Sequence, residues 1–380
     1  MRVTILGAGP AGLYLGILLK RRRPGDDIVI IEQNAADTTF GFGLAFSERA
    51  LEFLKAADPE THAALAPSLE TWSDSVIVLN GETVRIDGIG YAGIGRLRLL
   101  EILQARAQSV GLAPQFDRRV ERLEDLHESD LIVGADGANS IVRKAKDFGT
   151  SIGQYTNRFA WYGTPKRFEA LGHTFVETPL GHFNAHHHRH APDMSTFVVE
   201  TDEATFQSCG FAPMNAQDTQ ALCARIFADT LGGAPLISNH SIWRQFPRIR
   251  NERWSSGNCV LIGDAAHTAH FSIGSGTRLA LEDAIALDAA LARHPSDLQA
   301  ALASFEAARK PAVEKLVGAA DASAQWYERF ADHMRLPPLD FAFSYITRSG
   351  RIDIERLRAT SPEFTAAYEA RASTGPHPSR

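Results

Sequence analysis

The chain has 380 residues, enough for two structural domains, and its 44% hydrophobic and 22% charged residues are those of an ordinary globular protein. A formal net charge of -6 argues against a nucleic-acid binder, and three scattered cysteines (Cys209, Cys223, Cys259) argue against a disulfide framework or a zinc site. The apolar start breaks at Gly7, too soon for a signal peptide or membrane helix, so a cytoplasmic protein is expected, as monomer or homodimer.

Val3 to Leu6 reads as a short buried strand, and Leu13 to Leu19 as a helix whose Lys20-Arg21-Arg22-Arg23 ending puts positive charge at its C-terminus. Ile28 to Ile31 reads as a second buried strand, giving a βαβ unit and implying a parallel sheet. Mostly helical stretches come next, up to a further strand over Asp130 to Val133. From Trp161 to about Thr201, β-branched and aromatic runs such as His173 to Glu177 and Met194 to Glu200 alternate with turn residues and read as an antiparallel sheet in a second domain. Cys259 to Ile262 and the helix Leu279 to Leu291 return to the first pattern. Long helices continue through Phe305 to Phe330, and Gly375 to Arg380 has the composition of a disordered tail.

Gly7-Ala8-Gly9-Pro10-Ala11-Gly12 has the G-x-G-x-x-G spacing: one glycine for the tight turn, one to admit a pyrophosphate, one for close packing of helix on strand. A strand precedes it, a helix comes after it, and Glu32, with Gln33 next to it, ends the second strand where a carboxylate binds ribose hydroxyls. This points to an ADP-containing dinucleotide without choosing between FAD and NAD.

Two later segments narrow the choice. The run Asp130 to Arg143, with Asp136-Gly137 at its centre, and Gly263-Asp264-Ala265-Ala266-His267 resemble the two further FAD motifs of the single-component (group A) flavoprotein aromatic hydroxylases, typified by para-hydroxybenzoate hydroxylase. The three motifs span residues 7 to 278 in the family's order. The resemblance implies an α/β (α+β) fold: a Rossmann-like FAD-binding domain, a substrate domain built on a mixed, largely antiparallel β-sheet, and C-terminal helices. Residues 1–75, 101–158 and 253–370 would form the first part and the helices, 76–100 and 159–252 the substrate part, and 371–380 the tail.

It also implies a non-covalent FAD contacted by Gly7, Gly9, Pro10, Ala11, Gly12, Glu32, Gln33, Arg96, Asp136, Gly263, Asp264, Gly274 and Gly276. Asp264 would approach the ribityl chain, and Arg96, opening a helix over Leu97 to Gln104, the ribityl and phosphate region. Gly274 and Gly276 would turn backbone amides toward the ring and pyrophosphate, which only residues without bulk allow. NADH or NADPH would reduce the flavin without a Rossmann domain of its own; glycine-rich Gly88 to Gly95 is expected to lack both a preceding strand and the later acid.

The family's usual proline and asparagine are replaced by Phe271 and Arg278, and the run His270 to Thr277 resembles a narrower branch. That branch contains salicylyl-CoA 5-hydroxylase, 2-aminobenzoyl-CoA monooxygenase and a tryptophan hydroxylase of the violacein pathway. Gly41-Phe42-Gly43-Leu44, Trp161 to Thr164, Met194 to Glu200, Thr347 to Arg351 and Ser361 to Phe364 point the same way. In some of those relatives a reductase-type flavin domain is appended; here the hydroxylase half alone is expected. The mechanism implied is reduction of FAD, addition of O2 at flavin C4a, and attack of an electron-rich ring on the hydroperoxide, para to a hydroxyl or amino group. Conversion of salicylyl-CoA to gentisyl-CoA leads. A 2-aminobenzoyl-CoA, a free aromatic acid and a tryptophan or indole metabolite remain open, with a non-catalytic flavin-binding redox sensor as a remote reading. A halogenase would need a Trp-x-Trp-x-x-Pro segment, which is absent.

His186, His187, His188 and His190 fall in one strand, where alternation puts His186, His188 and His190 on one face. No cysteine or acid is clustered with them, so a metal is not expected. The branch has a histidine at the position of His186, which implies that it orients the substrate heteroatom or accepts its proton; a histidine satisfied within the sheet is the alternative. Gly43, His188, His270 and Phe271 are further candidates for the substrate pocket. For a CoA phosphate, Arg21 to Arg23 read as solvated surface, and Arg244, Arg248 and Arg250 are better placed.

Overall fold

The computed structural model describes residues 1–47 and 52–374. The expected parallel sheet is present, in the order Ser255–Ser256, Cys259–Leu261, Leu131–Gly134, Arg2–Leu6, Asp27–Ile31. All neighbours are parallel except the short edge pair, and Val3 lies opposite both Ile28 and Leu131. These strands are continuous apolar runs because helices cover the sheet. The helix Pro10–Arg22 starts on a proline, whose missing N–H is not needed in a first turn, and ends on Lys20, Arg21 and Arg22. The helix Gly276–Arg293 packs beside it, and Leu13, Leu15, Ile17, Leu279 and Leu287 are sealed in one core.

The stretch between Ile31 and Leu131 is not mostly helical. Gly43–Ser47, Tyr91–Gly95 and Glu70–Trp72 form a three-stranded antiparallel sheet, while Ser75–Leu79 and Glu82–Ile86 join the large sheet of the second region. The last two are a hairpin closed by Asn80-Gly81, both at positive φ (48° and 89°), as a two-residue turn that matches strand twist requires. Consequently a strand does precede Gly88 to Gly95, contrary to the sequence reading. The segment itself forms a further strand, Tyr91–Gly95, immediately before the helix Arg96–Ser109, instead of a glycine turn joining a strand to a helix as at Gly7 to Gly12.

The large sheet runs Ile237–Ser238, Thr150–Thr164, Met194–Thr201, Gly181–Ala191, Leu171–Thr178, Ser75–Leu79, Glu82–Ile86, and Arg244–Asn251 also pairs with the long strand Thr150–Thr164. Only Leu171–Thr178 and Ser75–Leu79 are parallel neighbours. Alternation sorts its faces. Ala160, Tyr162, Phe183, Ala185, Phe197 and Val199 pack with Phe206, Phe227 and Leu231 of the helices outside it. The opposite face carries Phe159, Trp161, His186, His188 and His190 toward the flavin motifs.

The C-terminal helices close the molecule. Trp326 and Tyr327 of Leu298–Tyr327 and Phe341, Tyr345 and Ile346 of Pro338–Thr347 pack on Ile77, Leu79, Val84, Ile86 and Phe175 of the large sheet. The fold class is the one read from the sequence. The helix Pro362–Thr374 runs four residues into the segment read as a tail, whose remaining residues, 375–380, lie outside those described. No helix among the described residues is long and apolar enough to cross a membrane.

Candidate active site

Sterics account for the glycine turn at the end of the first strand. Gly7 sits at φ 101°, and a Cβ there would lie 2.3 Å from the Ala135 carbonyl oxygen; one at Gly12 would lie 2.0 Å from the carbonyl oxygen of Gly7. Gly9 is different, because a Cβ there would meet nothing within 4 Å, so space lies in front of the helix that Pro10 and Ala11 begin. Beside the turn, Glu32 accepts from the Ala8 N–H (2.9 Å) and the Asn34 N–H (2.9 Å), while Gln33 is exposed. The carboxylate is therefore fixed at the end of its strand.

Just past the end of the strand Leu131–Gly134, Asp136 accepts from the Ile141 N–H through Oδ2 (2.7 Å) and keeps Oδ1 buried without a partner among the described residues; burial pushes its carboxyl up. Gly263 is held from behind by Asp283, which accepts from its N–H (2.9 Å), from His267 Nε2 (2.8 Å) and from Arg309 Nε (2.7 Å). Burial alone would raise the Asp283 carboxyl, but His267 and Arg309 hold it below the usual range. Asp283 is not recognisable in the sequence, because its partners lie 16 to 26 residues away and only the fold unites them.

Asp264, open to the gap, and half-buried Arg96 face one another with no side-chain hydrogen bond to any described residue. Burial pushes the Asp264 carboxyl up against the opposing pull of Arg96, and pushes the Arg96 guanidinium down against that of Asp264. Gly274, at φ 60°, closes against Ala45, whose carbonyl oxygen would be 2.7 Å from a Cβ, whereas Gly276 opens the helix Gly276–Arg293 with free space before it. A guanidinium, a carboxylate, two open helix N-termini and an unpartnered Asp136 oxygen suit a dinucleotide with a polyol chain.

Facing this set across the gap are the histidines of the large sheet. The His186 ring centroid is 5.4 Å from that of Phe271 and 6.4 Å from that of His188, and neither His186 nitrogen has a hydrogen-bond partner among the described residues. Burial, then the charge of Arg348, pushes its pKa down to about 4, so the ring is neutral. His188 is sealed behind it against Trp72 (5.8 Å), with both nitrogens unpartnered. His190 bonds Thr196 through Nδ1 (3.2 Å) and presses on Gly43, where a Cβ would be 2.3 Å from the ring, so packing explains that glycine. His270 is also enclosed: Nδ1 contacts Ser272 Oγ (2.9 Å), and the ring lies between Tyr155 and Phe246 and stacks on Phe271. Burial pushes it down to about 3. Among the described residues no group of three side chains is arranged to hold a metal.

Two contributors escape the sequence reading. Arg348 donates to the carbonyls of Ser272 and Tyr345 (both 2.7 Å) and lies 3.8 Å over the Tyr345 ring, tying the last helices to the turn that carries Phe271. His173, opposite His186 in the sheet, bonds the Tyr345 hydroxyl (2.8 Å). In the sequence, the segment around Arg348 stands out only by its resemblance to the branch. The arginines considered for a CoA phosphate are engaged: Arg21 with Asp58 (3.0 Å), Arg22 with Asp288 (2.7 Å), Arg250 with Asp321 (2.8 Å) and, more loosely, Arg248 with the same acid (3.8 Å). Arg23 donates to the Leu291 carbonyl, and Arg244 lies over Phe40.

A sequence profile described as an FAD binding domain matches residues 1–320. The chain belongs to the group A FAD-dependent aromatic monooxygenases. This monooxygenase is 39% identical to a salicyloyl-CoA 5-hydroxylase of Streptomyces sp. over 92% of its own length and 70% of the relative's. It is 37% identical to a 3-hydroxy-4-methyl-anthranilyl-[aryl-carrier protein] 5-monooxygenase of Streptosporangium sibiricum, over 93% and 95% of the two chains. Its fold matches a solved structure of 2-methyl-3-hydroxypyridine-5-carboxylic acid oxygenase with a TM-score of 0.70, at 18% identity, over 94% and 96% of the chains. The monooxygenase thus falls in the branch read from the run His270 to Thr277.

Proposed function

We propose that this monooxygenase hydroxylates a 2-hydroxy- or 2-aminobenzoyl thioester at ring carbon 5, with salicyl-CoA the leading substrate and NADH or NADPH the reductant. The observation that carries the reading is His186, a neutral imidazole with no hydrogen bond to any described residue, set 5.4 Å from Phe271 at the turn that leads to Gly274 and Gly276. In a sheet face otherwise filled by aromatic contacts, such a group is a ready hydrogen-bond acceptor for a ring hydroxyl or amino group. The names of the two relatives support the ring and the thioester.

In this reading Arg96, Asp264 and the amides at Gly9, Gly274 and Gly276 hold FAD, Glu32 takes its adenosine ribose, and Asp136 turns its open oxygen to the cofactor. FAD, when bound, supplies reduction by NAD(P)H and activation of O2. The chain's own task is to orient the ring, through a hydrogen bond that His186 accepts from its heteroatom, and to exclude water. Phe271, Phe159 and Phe246 make that neighbourhood apolar, with ring centroids 4.8 to 6.5 Å apart.

The test is reductant consumption and product analysis by the FAD-loaded protein with salicyl-CoA, 2-aminobenzoyl-CoA, salicylate and tryptophan. Coupled formation of a 5-hydroxyaryl thioester is expected. Turnover of a free acid or of tryptophan, with none of the thioesters, overturns the assignment; no flavin reduction with any of them favours a redox sensor.

A further inference from the structure

The arginines of this protein are mostly neutralised one by one: Arg21, Arg22, Arg158, Arg189, Arg250 and Arg309 each face an acid. Among the described residues, arginines with no acid also occur singly, as at Arg143 and Arg244, but one region gathers several. Where the C-terminal helices meet the turn carrying Phe271, Arg348, Arg351 and Arg356 have no acid within ion-pair distance among the described residues. Arg348 is spent on the backbone of Ser272 and Tyr345. Three residues on, past Gly350 at φ 66°, the Arg351 side chain reaches the surface and makes no hydrogen bond to any described residue. The Arg356 side chain, in the next helix Ile354–Thr360, donates only to the Arg351 carbonyl, at 3.4 Å.

Arg278 joins them from the first turn of Gly276–Arg293, and its one acid, Glu282 (2.8 Å), is shared with Arg309 (2.9 Å). Partial burial, then the like charges of Arg278 and Arg356, disfavour the Arg351 guanidinium. Like charges gathered without a counter-charge repel, and an anion placed among them relieves the repulsion. A solvated basic surface is the ordinary explanation of such a group. Position argues against it here. His186 touches Phe271, the adjoining Ser272 is bonded by Arg348, and Arg351 comes next on the same loop, so the arginines border the gap in which the ring is read to sit. Tyr91, of the strand that pairs with Gly43–Ser47, lies within electrostatic reach of both Arg348 and Arg351.

We infer that Arg351, Arg356 and Arg278 seat the phosphate at the far end of a pantetheine arm, so that an aryl thioester is held by its ring at His186 and by its phosphate at the rim. The inference rests on the proposed thioester substrate and adds what recognises the carrier. The pantetheine arm itself is uncharged and flexible, so a phosphate at its end is the feature a cluster of guanidinium forks can select. CoA and a carrier-protein prosthetic group share that phosphate.

The experiment uses the full chain loaded with FAD and three salicyl thioesters that differ only beyond the arm: pantetheine, 4′-phosphopantetheine and CoA. A charge-assisted contact makes the phosphorylated pair better substrates by roughly tenfold or more in kcat/KM. In Arg351→Ala/Arg356→Ala that preference falls toward one, and Arg351→Lys restores part of it; flavin content reports whether each variant has folded. Equal kcat/KM for all three in the wild type, or a preference that survives the double substitution, overturns the inference while leaving the thioester reading intact. Turnover of free salicylate alone overturns both. A further gain from phosphopantetheine to CoA supports CoA as the source; equality of the two supports recognition of the arm phosphate alone.

Discussion

Asp283 and His188 are both buried polar side chains, and the protein treats them in opposite ways. Behind the flavin motifs, Asp283 has every oxygen engaged by Gly263, His267 and Arg309. In the large sheet, His188 has both nitrogens sealed and, among the described residues, unbonded, and its neighbour His186 has no hydrogen bond to them either. A bonded network fixes a loop in one place, whereas an unbonded imidazole is costly to keep and is tolerated where another molecule completes it. The first region is built to hold its own shape; in the second, half-buried His186, in front of sealed His188, is placed to receive something.

Breaking the bonded side should have the largest effect on stability. Asp283→Ala leaves His267 buried without its acid and Arg309 with Glu282 alone, and a loss of about 3–5 kcal/mol is expected in chemical denaturation. Retention of wild-type stability would mean that the network is not what anchors Gly263.

The sheet's histidines predict a pH effect of intermediate size. His187 is buried between Phe168 and Phe197, and burial pushes it down to about 3, well under the value of about 6.5 it has when unfolded. The unfolded chain then takes up the proton first, so this residue's neutral burial favours folding above pH ~6.5 and progressively opposes it as pH falls toward 3. Relative to His187→Phe, the wild type should lose up to about 1.4 kcal/mol of stability per pH unit below ~6.5. Unfolding curves of the two proteins that stay parallel with pH would contradict this.

The smallest effect is at the Asn80-Gly81 turn. Gly81→Ala forces a side chain to φ 89° and should lower stability by about 1 kcal/mol, with no change in flavin binding. A larger loss would show the hairpin to matter beyond its own edge.

The parallel sheet is legible in the sequence because its strands are unbroken apolar runs next to a glycine turn whose sterics leave little choice at Gly7 and Gly12. The hairpin Ser75–Leu79 and Glu82–Ile86 is equally legible, through Asn80-Gly81 between alternating apolar positions, and a helical reading of that stretch overlooks it. The histidine face comes from alternation alone, since His186 and His188 do share a face that His187 does not. Long-range partnerships are not legible. Nothing near Ser272 in the sequence announces that Arg348, 76 residues later, will bond its carbonyl.

The central claim is that His186 is left unbonded in order to receive the ring. The measurement that tests it is hydroxylated product formed per NAD(P)H consumed by His186→Phe, beside the wild type, with salicyl-CoA. The variant should still bind FAD and consume reductant, while product formation falls about a hundredfold. Product formation at the wild-type level would contradict the account.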